Sequence, residues 1–222
     1  MSPTRTPLTT HHKFALTGAI GLSTYALADA VNHGITGENL PYDPMTSPAG
    51  WAYFAMLLHG YTYAALAVVL LREKPRIAGT NHVARGTRMV LLFCLAVLAT
   101  FFGVVAPVSI AAGHPEWTIV PVFTTVSSLA FAGLILGSTV LGLALLRDRS
   151  LGYGARVLQA MLPAFALMML VAWVAYDFAH PAYLETVLQV GIALLGDGVV
   201  TSGVSKDRSS TDRSTQAVPQ VR

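Results

Sequence analysis

A chain of 222 residues is long enough for one or two soluble domains, but this one is 54% hydrophobic, only 11% charged and has a mean hydropathy of +0.58. That leaves too little charge to cover a water-exposed surface. The formal net charge of +3 does not point to nucleic acid, because the basic residues flank apolar runs instead of clustering with stacking aromatics. Cys94 is the single cysteine, which rules out an internal disulfide, and it lies within an apolar run.

A helical crossing of a bilayer takes about 20 mostly apolar residues. Six runs meet that length, at 14–34, 51–71, 89–112, 117–146, 155–178 and 182–203. The expected fold is therefore an all-α polytopic bundle of six transmembrane helices over 14–203. Residues 1–13 form a cytoplasmic tail and 204–222 a disordered cytoplasmic tail rich in Ser, Thr, Asp and Arg.

The first run carries Gly18, Gly21, Leu22, Tyr25, Asp29 and His33 at three- and four-residue spacing, so they share a helical face. A cleaved signal peptide ending near Ala28-Asp29-Ala30 is an alternative for this segment; it would leave five helices and an outside N-terminus. Tyr25 and the weakly apolar run make a poor core for such a peptide. The segment 34–50, with Pro41, Pro44 and Pro48, predicts an extended outer loop. The second run places His59 and Tyr63 four residues apart on one face. Counting from the helix ends puts His59 and Asp29 at similar depth, so the two are expected to pair.

The fourth run starts near Pro115 and Pro121, close to His114 and Glu116, and holds Gly133 and Gly137, a small-xxx-small packing pair. The fifth carries Pro163, where a kink is expected. The turn into the sixth is bracketed by Asp177, His180 and Glu185, with Gln189 extending the polar face of Glu185. Gly196-Asp197-Gly198 reads as a break in the last helix.

The charge pattern fixes an orientation. All 14 Lys and Arg fall in four segments: the N-terminal tail, the stretch 72–88, the stretch 147–156 and the C-terminal tail. With six spans these four share a side, and the positive-inside rule makes it the cytoplasm of a plasma (inner) membrane. Histidines and carboxylates lean to the opposite, outer side.

Ionisable groups within a span are costly and invite a functional reading. The ligand-binding candidates are Asp29, His33, His59, Tyr63, Asp177, His180 and Glu185. Together they form an outward-facing polar pocket for a small-molecule or lipidic ligand. Such groups can also hold a divalent metal, which would make the chain an outward-facing, metal-assisted lipid hydrolase. Plain helix-to-helix hydrogen bonding is the simpler account, and the small-residue pair suits a structural or partner-stabilising subunit. Haem lacks a second intramembrane histidine opposite His59, and no phosphate-cradling or hydrolase motif is present.

The stretch Leu40-Pro-Tyr-Asp-Pro-Met-Thr-Ser-Pro48, the Gly50-Trp51 start of the second span and the Gly113-His114-Pro115 turn resemble bacterial membrane proteins of the domain of unknown function 998 family. The resemblance implies a six-helix architecture over residues 14–203 and no particular activity.

Overall fold

The computed structural model describes residues 8–40, 49–112, 121–146 and 151–197. Among these residues every regular element is helical: α1 (Thr10–Thr36), α2 (Ala49–Arg72), α3 (Lys74–Thr80), α4 (His82–Thr100), a π-helical turn (Phe101–Val105), α5 (Ala106–Ala111), α6 (Pro121–Ala144), α7 (Gly152–Gln159), α8 (Met161–Val174), a 3-10 turn (Tyr176–Phe178) and α9 (Ala182–Ala193). The prolines of the outer loop, the turn with His114 and Glu116, and the C-terminal tail lie outside the described residues.

Among the described residues five helical stretches are long and apolar enough to cross a membrane: Thr10–Thr36, Gly50–Arg72, His82–Ala111, Thr125–Ala144 and Gly152–Val174. Their apolar side chains face outward, as with Leu129, Leu136, Phe93 and Trp173. An apolar exterior of this extent belongs in lipid, and the chain is a helical membrane protein. The segment expected at 182–203 contributes the shorter α9, which ends at Ala193 in a turn through Asp197. Gly196 takes φ +90 there, a left-handed conformation that favours glycine, so the helix does leave its path beside the Gly-Asp-Gly stretch.

The helices pack in a ring. α1 lies on α2, α2 on α4, α4 on α6, α6 on α7, α7 on α9, and α9 returns to α1. Small residues let these backbones meet. A Cβ on Gly60 of α2 would lie 2.6 Å from the Cα of Gly103 in the π turn. Gly133 and Gly137 of α6 face Cys94 and Leu91 of α4, each at 2.8 Å from such a Cβ. The small-xxx-small pair is thus used inside the bundle rather than offered to a partner.

Two prolines break the helical path. Pro107 has no N–H, and its ring would collide with the carbonyl four residues back, Gly103. The preceding turn widens to π geometry, and the Ala106 N–H reaches the Phe101 carbonyl. Pro163 likewise cannot donate to Gln159, and the fifth span breaks at Ala160, whose N–H turns back to Val157. The expected kink is present, three residues before its proline.

The Gly60–Gly103 contact makes a stability prediction. Gly60→Ala should lower thermal stability in detergent by about 1–3 kcal/mol through overpacking. Gly86→Ala, on an exposed face of α4 with open space around its Cβ, should gain roughly 0.5–1 kcal/mol from helix propensity. Equal shifts in the two melting curves would refute the close-contact account.

Candidate functional site

The polar interior is built along α1 and α9, which run antiparallel and are tied at three heights. At one end the Nε2 of His12 lies 3.0 Å from the carbonyl oxygen of Leu195. In the middle the Ser23 hydroxyl faces the Gln189 side-chain oxygen at 3.4 Å. At the other end Asp29 Oδ2 lies 3.6 Å from His180 Nε2. Ser23, Asp29, Glu185 and Gln189 are all buried.

The middle level is a hydrogen-bonded chain. Tyr63 of α2 donates its hydroxyl to Glu185 Oε1, and the Gln189 amide donates to the same oxygen at 2.8 Å. Gln189 therefore does extend the polar face of Glu185. The pair is spaced at one helical turn, which puts both side chains on the α1-facing side of α9. Both of these donors to the carboxylate, Tyr63 and Gln189, are neutral groups. His59 sits beside this chain, its ring 6.1 Å from that of Tyr63 and stacked on Phe102 of the π turn at 4.9 Å. Its Nδ1 donates to the Ala55 carbonyl at 2.7 Å, a bond within its own helix.

At the Asp29 end the seam meets the chain segments that leave α1 and enter α9. Asp29 Oδ1 accepts the backbone N–H of Leu40, just beyond the left-handed Gly37 that ends α1. The Ala182 N–H donates to His180 Nδ1 at 3.2 Å, so the imidazole proton sits on Nε2, facing Asp29. Burial lowers the His180 pKa below its ordinary 6.5, Asp29 works against that, and His33 adds to it. His33 is half-buried, with its Nδ1 enclosed and without a hydrogen-bond partner among the described residues. Asp177 lies exposed in the 3-10 turn.

The expected Asp29–His59 pair does not form. Asp29 takes His180 and Leu40, and His59 takes Ala55. Depth counted from helix ends misplaces them because the ends are not level. Tyr25 of α1 meets Trp51 at the start of α2, so α1 projects about two to three turns beyond its neighbour. Gly21 opposes Leu58, which puts His59 some two turns below Asp29. Among the described residues no three of Asp29, His59, Asp177, His180 and Glu185 gather within metal-ligand reach.

A separate feature, with no counterpart in the sequence reading, is an apolar groove of about 340 Å³ between α4 and α6. It opens beside the π turn and is lined by Phe93, Val97, Phe101, Phe123 and Val126, with Thr100 and Ser127 as its polar points.

Set against known proteins, this all-helical membrane chain stands apart: no protein family, no curated protein and no solved structure matches it.

The His180 environment carries a sign for pH dependence. The folded chain keeps this imidazole neutral to lower pH than the unfolded chain does, so acidification through 6.5 loads protons on the unfolded state first. The fold therefore loses stability as pH falls through that value, until His180 itself titrates. Thermal melts between pH 7.5 and 5 should show a smaller acid-side loss for His180→Gln than for the wild type. An unchanged slope would mean that His180 contributes nothing to it.

Proposed function

We propose that the chain is a six-span plasma-membrane protein, both termini in the cytoplasm, that binds a small ligand in an outward-facing polar pocket, and that the ligand's cationic or hydrogen-donating group meets Glu185. The observation that carries this reading is the burial of Glu185 among neutral donors, between α1, α2 and α9. A carboxyl group inside a membrane bundle is retained at a cost, and binding or moving a ligand or ion is the usual return. Asp29, His33 and His180 line the approach from the outer end.

The sixth crossing rests on its pairing with α1. α9 alone is about 18 Å long, but from His180 to Leu195 the chain covers roughly 22 Å at helical rise. It is matched to the stretch of α1 from His12 to Asp29, and both ends of that stretch are tied to it. Orientation rests on the basic residues. Lys13 follows His12, Arg76 reaches the Gly196 carbonyl, Arg88 reaches the Leu70 carbonyl, and Arg156 lies on α7 two residues from the contact of Gly154 with Leu195. All of them sit at the end away from Asp29. This is the architecture that the resemblance to the domain of unknown function 998 family implies.

A second reading, a lipidic ligand, draws on the apolar groove, whose walls suit an acyl chain and whose mouth faces the bilayer.

Two measurements test the proposal. In a cysteine-labelling experiment, Asn39→Cys should react with an impermeant maleimide on intact cells and Gly79→Cys only after permeabilisation; the reverse pattern would invert the orientation. In a thermal-shift screen of the purified protein against small amines, inorganic cations and phospholipids, at least one amine or cation should stabilise the wild type. Glu185→Gln should bind that compound about tenfold or more weakly, the scale of a lost charge-assisted hydrogen bond. Stabilisation by phospholipid alone, unchanged in Glu185→Gln, would favour the groove instead and sink the Glu185 pocket.

A further inference from the structure

The end of the bundle opposite Asp29 holds a second polar cluster, which neither the proposed pocket nor its ligand uses. His11 and His12 stand at the start of α1, and Glu73 links α2 to α3. One ligand atom from each lies within 4.8 Å of the other two, and among the described residues no other group of three histidine, cysteine or carboxylate side chains comes so close. His12 and Glu73 are buried. We propose that His11, His12 and Glu73 bind one divalent transition-metal ion of the zinc class at the inner end of the bundle.

The distances suit such an ion. Bond lengths of about 2.0–2.2 Å to nitrogen and oxygen, in a tetrahedral shell, put neighbouring donors roughly 3.3–3.6 Å apart. His11 Nε2 and Glu73 Oε1 are 3.5 Å apart, long for a hydrogen bond and matched to two ligands of one cation. Two imidazoles and one carboxylate are a donor set that zinc uses when it keeps a fourth position for water.

The surrounding contacts orient the donors as an outer shell would. His12 gives its Nε2–H to the Leu195 carbonyl, which leaves the lone pair on Nδ1. That lone pair faces the Thr9 hydroxyl at 2.6 Å, which also lies 3.1 Å from the Nδ1 and 3.3 Å from the Nε2 of His11, so an ion entering the cluster would displace this hydroxyl from Nδ1 or take its oxygen as a further ligand. Arg76 binds the far oxygen of Glu73 at 3.1 Å and the Gly196 carbonyl at 2.7 Å, so Oε1 is the oxygen left facing the histidines. The Arg76 guanidinium is half-exposed and sits on the side away from His11, where solvent weakens its repulsion of a cation. Gly196 packs directly on Glu73, and a side chain at that position would displace the carboxylate. An ion here would join the start of α1, the α2–α3 junction and the exit turn of α9.

The test uses full-length, tag-free protein in detergent, stripped with EDTA, because a histidine tag would itself bind metal. Cobalt(II) is titrated while its visible absorption is followed, and zinc content is measured after loading and desalting. One equivalent per chain is expected, weakened about tenfold or more in His11→Ala and in Glu73→Gln, with His82→Ala, an exposed histidine outside the cluster, unaffected. His11 is the most exposed of the three, so its variant tests the site even if the Glu73 substitution fails to fold. Absence of stoichiometric binding, or binding that His11→Ala leaves unchanged, would overturn the proposal.

Discussion

The antiparallel seam between α1 and α9 is the constraint on which the rest of the bundle depends. Lipid offers no hydrogen bonds, so polar side chains within the membrane must be satisfied by other helices. The polar faces of α1 and α9 answer each other: Asp29 meets His180, Ser23 meets Gln189, and His12 meets the Leu195 carbonyl. This mutual need closes the ring and explains an otherwise odd distribution of burial. α9 is short, yet most of its residues are buried, while α8, with no polar face, leaves Leu167, Met169 and Trp173 exposed.

The departures from regular helix lie where the seam needs support from the neighbouring spans. The π turn at Phe101–Val105 brings Phe102 onto the ring of His59 and lets Gly103 abut Gly60. α2 thereby sits close enough for Tyr63 to reach Glu185 across the bundle. The break at Ala160 does comparable work on the other side. It separates α7, whose Gly154 lies against the backbone of α9, from α8, which turns toward the surface. In both spans a proline removes one backbone donor, and the freed geometry is spent on a close contact elsewhere.

Features set by local chemistry were legible in the sequence. Pro163 announced its kink, Gly133 and Gly137 their close packing, and the four-residue spacing of Glu185 and Gln189 their shared face. Features set by the relative height of helices were not. Asp29 and His59 were matched by counting from helix ends, and only the Tyr25–Trp51 contact reveals that α1 projects past α2. Within the described part of the run 182–203, apolar residues continue past Ala193 while the backbone turns, so composition alone does not mark where α9 stops. The cluster of His11, His12 and Glu73 was hidden by its surroundings: the two histidines read as tail residues and Glu73 as one acid in a basic stretch. The available signal was the isolation of Glu73 among Arg72, Lys74 and Arg76, since a carboxylate there adds nothing to orientation in the membrane.

The seam also determines how the two ends of the bundle relate mechanically. α9 is a single 12-residue helix without proline, and its backbone hydrogen bonds make it stiff along its axis. His180 lies two residues before it and Leu195 two residues after it, so the contacts to α1 at both ends of the bundle sit at the ends of one rod. A displacement of α9 that loosens Asp29–His180 therefore shifts the Leu195 carbonyl against His12 and the Gly196 carbonyl against Arg76. Glu185 and Gln189 lie between them on the same rod, held to α2 and α1. Polar groups at three heights can thus respond together without any long-range electrostatic effect, because the tie between them is the helix itself.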